Sequence, residues 1–169
     1  MKEKVKLNKK PVAHLIYGFV GSGKTTFAKK LEKETGALRF SNDEWMISLY
    51  GNNPPAEKFN EYHKRVNKLL SDIAFKCLKA GLDIILDDGF WSRTRRDETR
   101  NRIKKAGMNF KLYYIKCPDE VMKQRTLKRT NSKSKYAFYI NKEAIKTFKR
   151  HFEPLGDDEE HIVIKNFLK

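Results

Sequence analysis

The sequence predicts an α/β protein: a five-stranded parallel sheet covered by helices on both faces. Three observations carry this. Short apolar runs alternate with helix-period segments along all 169 residues, which is the order of β-α units wound right-handedly into a sheet. The runs 12–17 and 83–87 are apolar almost throughout, as strands covered on both faces must be. Finally, the first run stops at a glycine-rich turn, Gly18 to Gly23, and a helical pattern follows at once.

Taken in order, residues 12–17 (VAHLIY) form the first strand and 25–34 the first helix, with Phe27, Ala28 and Leu31 on one face and Gly36 as its stop. Residues 38–40 are a short second strand and 44–50 a short helix, closed by the loop Gly51-Asn52-Asn53-Pro54-Pro55. A long helix over 57–80 repeats Tyr62, Val66, Leu69, Leu70, Ile73, Ala74, Cys77 and Leu78 every three to four residues, and Gly81 ends it. The third strand is 83–87. Ser92 is an N-cap for a helix reaching Lys105, and 110–116 is the fourth strand. Pro118 and Asp119 open a helix to Arg129, a polar and basic stretch covers 130–139, and a last helix runs over 141–152. A turn at 153–156 leads to the fifth strand, 161–164. One domain spanning 1–169 is expected, with a basic segment 1–10 and a short basic lid around 125–140.

The turn itself reads Gly18-Phe19-Val20-Gly21-Ser22-Gly23-Lys24-Thr25 and matches G-x-x-x-x-G-K-[ST], a phosphate-binding loop. Glycines 18, 21 and 23 let successive N–H groups point inward at phosphate oxygens. The helix behind the loop adds the positive end of its dipole. Lys24 is a point charge for the β- and γ-phosphates, Thr25 offers a hydroxyl to Mg²⁺, and Ser22 and Thr26 complete the cradle. The alternative is a glycine turn with an incidental lysine, which the strand-loop-helix context argues against.

Two carboxylates sharpen the chemistry. Asp43 follows the second strand and Asp87 ends the third, and in an open parallel sheet these carboxyl ends line the ligand crevice. Phosphoryl transfer to an alcohol needs charge control at the metal and a base for the nucleophile. Two other readings stay open: Asp43 as a plain helix N-cap, and Asp88 rather than Asp87 as the working carboxylate.

Composition limits the rest. There are 37 Lys and Arg against 21 Asp and Glu, a net charge of +16, and mean hydropathy is −0.74. Sixteen of the basic residues and only three acidic ones lie within 100–150, a surface for nucleic acid or a merely solvated lysine-rich face. No run of about 20 apolar residues suggests a membrane span. Cys77 and Cys117 lack C-x-x-C spacing, and a cytoplasmic, reducing location is expected. The four histidines lack metal-ligand spacing and read as structural.

The loop, then Ser41-Asn42-Asp43-Glu44-Trp45, then Leu86-Asp87-Asp88-Gly89-Phe90-Trp91-Ser92 with Arg95 and Arg96, resemble the small AAA_33-like P-loop kinases. These are relatives of chloramphenicol phosphotransferase, zeta toxins and polynucleotide 5′-kinase domains. The later residues Ala137-Phe138-Tyr139, Phe148, Phe152-Glu153-Pro154 and Asp158-Glu159 resemble their lid and C-terminal end. The resemblance implies a P-loop NTPase three-layer sandwich with strand order 2-3-1-4-5, using ATP and Mg²⁺. It implies Asp43 as catalytic base, Asp87 as the metal-side carboxylate, and Arg125 and Arg129 as lid arginines on the ATP phosphates.

One departure concerns the acceptor. Polynucleotide kinases of this type carry an arginine three residues after the base, and this chain has Met46. Trp45, Met46, Tyr50, Phe90 and Trp91 suggest an aromatic pocket for a small-molecule hydroxyl acceptor, or they pack in the core. Arg93, Arg95 and Arg96 are either a substitute phosphate clamp or the polar face of a helix start. The expected activity is ATP-dependent phosphorylation of a small molecule. The rivals are a polynucleotide 5′-hydroxyl kinase and a non-catalytic, ATP-dependent nucleic-acid-binding module.

Overall fold

Val12–Tyr17 form β1 at the centre of the sheet, and all six residues are buried. In the computed structural model, which describes residues 10–132 and 137–166, the elements follow the expected alternation. They are α1 (Lys24–Thr35), β2 (Leu38–Ser41), α2 (Asn42–Tyr50), α3 (Ala56–Lys79), β3 (Ile84–Gly89), α4 (Arg93–Lys105), β4 (Asn109–Lys116), α5 (Asp119–Asn131), α6 (Lys142–His151) and β5 (Ile162–Lys165). Residues 1–9 of the basic segment and 133–136 of the expected lid lie outside the described residues.

The sheet order is β2-β3-β1-β4-β5, and every neighbouring pair is parallel. Side-chain alternation along β1 sends Ala13, Leu15 and Tyr17 to one face, where Ala74, Phe75 and Leu78 of α3 and Ile103 of α4 cover them. Ile16 points the other way, against Ala28 and Leu31 of α1. Leu15 and Ile16 are both fully buried, each contributing about 1.5–3 kcal/mol of apolar transfer. This two-sided covering is why β1 reads as a continuous apolar run.

Two smaller clusters hold the rim. Met46, Val66 and Leu70 join α2 to α3, with Phe40, Tyr62 and Phe138 against them. Phe19 of the glycine loop packs with Met122 of α5 and Ile145 of α6. Element ends differ from expectation where polar residues meet the sheet edge. α2 begins at Asn42, two residues early, and β3 runs on to Gly89, so that Asp87 and Asp88 lie inside the strand.

Candidate active site

The loop between β1 and α1 is shaped by backbone contacts that glycine alone permits. Gly23 caps α1 at φ 95°, and a Cβ there would stand 2.0 Å from Asn166 Nδ2. A Cβ on Gly21, at φ 78°, would meet the Met122 carbonyl oxygen at 2.3 Å. Asn166, just past β5, donates from Nδ2 to the Ser22 carbonyl at 2.6 Å. Gly18 N donates to the Gly89 carbonyl at 3.3 Å, tying the loop to the end of β3. No acidic side chain occupies the first turn of α1, so that turn keeps its positive character for an anion. Lys24 Nζ donates to the Phe19 carbonyl at 2.9 Å. Burial lowers the Lys24 pKa, and Asp87, Asp43 and Asp88 oppose the shift.

Below the loop, the chain leaves β3 through Gly89 at φ 80° and Phe90 at φ 50°. A non-glycine residue in this region costs about 1–3 kcal/mol. The bend delivers Trp91, whose indole N–H donates to the Gly18 carbonyl at 2.9 Å and whose ring stacks on Phe19 at 5.5 Å. Trp91 therefore braces the phosphate loop.

Asp87 and Asp88 point to opposite sides of β3. The Asp87 side chain is 2% exposed and lies 3.6 Å from Arg39 Nη1. Its Oδ2 has no hydrogen-bond partner. Burial pushes its pKa up to about 6 against the pull of Lys24 and Thr25. Asp88 instead accepts from Arg95 Nε at 2.6 Å. Asp43 is the second residue of α2 and Ser41 holds the cap position, so the N-cap reading of Asp43 does not hold. Its side chain opens to the crevice, yet the protein crowded around it raises its pKa, with Lys24 pulling it back. Asp88, His63 and Arg129 also act on it electrostatically.

Arg125 and Arg129 stand one turn apart on α5. Arg125 approaches Gly23 and makes a long 3.7 Å contact to the Cys117 Sγ. Arg129 is exposed and acts on both Lys24 and Asp43. The other expected arginines are engaged elsewhere. Arg96 is fully buried, bonds Glu159 at 2.7 and 2.9 Å, and donates to the Phe90, Trp91, Glu153 and Pro154 carbonyls. Arg93 binds Asp158 through two bonds and Asp97 through a third. Together with Arg100 they latch α4 to the 153–159 loop. This corrects the expected acceptor clamp for Arg96, whose buried guanidinium is filled by one carboxylate and four carbonyls, while the half-exposed Arg93 is engaged by Asp158, Asp97 and Glu159. Burial raises the Glu159 pKa, but bonds from Arg96 and the Gly156 N–H outweigh it and hold it low. Trp45 is 43% exposed at the mouth, and Met46 is a fully buried core residue.

The sequence reading missed four contributors. His63 was expected to be structural, yet it acts on Asp43 from α3. Asn42 precedes Asp43, and both polar atoms of its buried amide lack partners. Asn67 accepts from Arg95 Nη2, and Asn166 shapes the loop. Position just past a strand's carboxyl end was the available signal for Asn42 and Asn166. The residues fit a hard cation: a hydroxyl at Thr25, a buried carboxylate oxygen without a donor at Asp87, and a cradle that any Cβ would fill. Among the described residues no cluster of three or more His, Cys, Asp or Glu can hold a metal alone.

Comparison with known proteins agrees with this geometry. A family model described as an AAA domain, AAA_33, matches residues 14–155. A candidate kinase from Chloroflexus aurantiacus superposes with a TM-score of 0.75 at 16% identity, over 93% of this chain and 89% of that one. A sugar kinase from Janibacter sp. gives 0.61 at 23% identity, over 93% and 86%. A chain of the Pnkp1/Rnl/Hen1 RNA repair complex gives 0.67 at 21% identity, over 88% of this chain but 47% of that one. No curated protein sequence matches significantly. At these identities the structures share the fold, a P-loop NTPase α/β sandwich. The family model spans most of the chain, and the chain belongs to the AAA domain family AAA_33.

Proposed function

We propose that this protein is a P-loop kinase that moves the γ-phosphate of ATP to a hydroxyl of a small molecule. The observation that carries the reading is the grouping of Lys24, Asp43 and Asp87 at the carboxyl ends of β1, β2 and β3, with Arg125 and Arg129 facing them from α5. The loop amides, Ser22, Lys24, Thr25 and Thr26 would hold the β- and γ-phosphates. Thr25 and Asp87 would hold Mg²⁺, which when bound neutralises charge on those phosphates. The acceptor oxygen attacks the γ-phosphorus, its proton passes to Asp43, and the bond to the β,γ-bridging oxygen breaks to release ADP. A carboxylate whose pKa is raised by its surroundings suits that proton transfer. Arg125 would neutralise charge on the transferring group and Arg129 would cover the nucleotide. Trp45 offers an apolar lip for the acceptor. Names of similar folds, a sugar kinase and a gluconokinase among them, support the reaction class.

The second reading, a polynucleotide 5′-hydroxyl kinase, draws on the RNA repair complex and on the basic stretch 100–150. Against it stand the buried Met46 and the carboxylate-paired Arg93, Arg95 and Arg96, which leave an acceptor phosphate without a clamp. Transfer from labelled ATP tests both. Asp43→Asn is expected to lower transfer roughly 10²–10⁴-fold while ATP affinity stays within a few-fold. A matching loss of ATP binding would make Asp43 structural and overturn its role as base.

A further inference from the structure

Between β2, α2, α3, β3 and α4 lies a partly open cavity of about 20 Å³, lined by Asn42, the residue before the candidate base, with space for one water-sized group. Its floor is apolar, from Phe40, Leu86 and Phe90, and its polar wall is made by Asn42, Asn67 and the Asp88–Arg95 pair. Asn42 is 3% exposed, and neither its Nδ2 nor its Oδ1 has a hydrogen-bond partner. A buried amide left in that state costs about as much as two lost hydrogen bonds. A group that both donates and accepts would satisfy it, and a hydroxyl does both.

The charge of the cavity narrows the choice. Arg95 is neutralised by Asp88 at 2.6 Å, while Arg93 and Arg96 are spent on Asp158 and Glu159. Arg95 is the cation that lines the cavity among the described residues, and with Asp88 on it the wall offers no free positive charge to an anion. We propose that the cavity is the specificity subsite of the acceptor site, taking one non-reacting hydroxyl of a neutral polyhydroxylated acceptor on the Asn42 amide. The proposal rests on the phosphotransferase reading above and adds the substrate class to it.

The test uses the full chain, Mg²⁺ and labelled ATP. The acceptors are neutral three- to six-carbon polyols and sugars, their monodeoxy analogues, aldonates, nucleosides and a 5′-hydroxyl oligonucleotide. A neutral polyol is expected to gain phosphate, and removing one particular non-reacting hydroxyl should lower kcat/KM roughly 10²–10⁴-fold. In Asn42→Leu that ratio between polyol and deoxy analogue should fall to within about tenfold. If Asn42→Leu does not fold, Asn42→Ser and Asn67→Ala serve for the same ratio. An unchanged ratio in the folded variant would mean that the amide holds only a structural water, and would overturn the subsite. Transfer confined to aldonates or oligonucleotides would overturn the neutral class and leave the kinase reading standing. Transfer to no acceptor would overturn both.

Discussion

Replacing Asp87 by Asn should stabilise the protein while abolishing its proposed activity. The buried carboxylate has a pKa raised from 3.8 to about 6, a shift worth roughly 3 kcal/mol. Because the folded state binds this proton more tightly than the unfolded chain, ionisation weakens the fold. The penalty is fully present above pH 6 and fades as pH falls through 6 toward 3.8. Arg39 does not become an orphan in the variant, since its Nε and Nη2 stay on Glu32 and Glu44 at 3.0 and 2.8 Å. At pH 7.5, without nucleotide or metal, Asp87→Asn is expected to gain up to ~3 kcal/mol in urea unfolding. The corresponding rise in Tm is about 6–12 °C for a chain of this length. At pH 4 the difference should shrink toward zero. A variant less stable than wild type at pH 7.5, or a gain independent of pH, would refute the reasoning, because either means that the buried carboxylate is not the source of strain.

Lys24→Ala should abolish ATP hydrolysis and transfer, measured by ADP release, because Lys24 is the cation carried by the loop itself at the β- and γ-phosphates; wild-type turnover would remove the loop from the mechanism. Glu159→Gln leaves the fully buried Arg96 without its counter-charge and should cost about 3–5 kcal/mol in chemical unfolding. Arg93→Ala, at the exposed end of the same latch, should leave stability little changed, and equal losses would show that the latch acts as one unit. Binding of a labelled single strand should be weak and vanish near 0.15 M salt, where exposed charges are screened beyond ~8 Å. A contact with five phosphates would instead follow a log–log slope near −3.5, and tight binding at that salt would favour the polynucleotide reading.

The fold was legible because each element announces itself locally. β1 reads as a buried strand since both of its faces are covered, and the glycine loop carries its own punctuation. The order of strands and the placement of Asp43 and Asp87 at their carboxyl ends follow from parallel β-α winding and the family resemblance. The arginines were less legible. In sequence, Arg93, Arg95 and Arg96 at a helix start look like an anion site, since they oppose the dipole there. Their carboxylate partners, Asp88, Asp158 and Glu159, sit 7, 65 and 63 residues away from them, and pairing over the longer of those distances leaves no periodic trace. Trp91 was hard to read for a related reason: an aromatic residue beside a strand end suits a pocket as well as a brace. Its bond to the Gly18 carbonyl, 73 positions earlier, reveals the brace.

The buried side-chain polar atoms left without partners among the described residues belong to Ser22, Arg39, Asn42 and Asp87; Ser22, Asn42 and Asp87 stand at the carboxyl ends of β1, β2 and β3, and Arg39 reaches Asp87 from within β2. Ser22 lies in the phosphate loop, Arg39 and Asp87 share one contact, and Asn42 adjoins the candidate base. Each such atom costs about 1–3 kcal/mol, and a protein selected for stability alone would satisfy or replace them. Elsewhere the same chain satisfies demanding groups fully, as Arg96 shows with bonds to one carboxylate and four carbonyls. Incomplete satisfaction is thus local, and it coincides with the place where a nucleotide phosphate, a cation and an acceptor hydroxyl would supply the missing partners. Stability forgone at these positions is recovered on binding, so ligands that complete them should raise the unfolding temperature, the gain growing with the logarithm of their concentration over Kd.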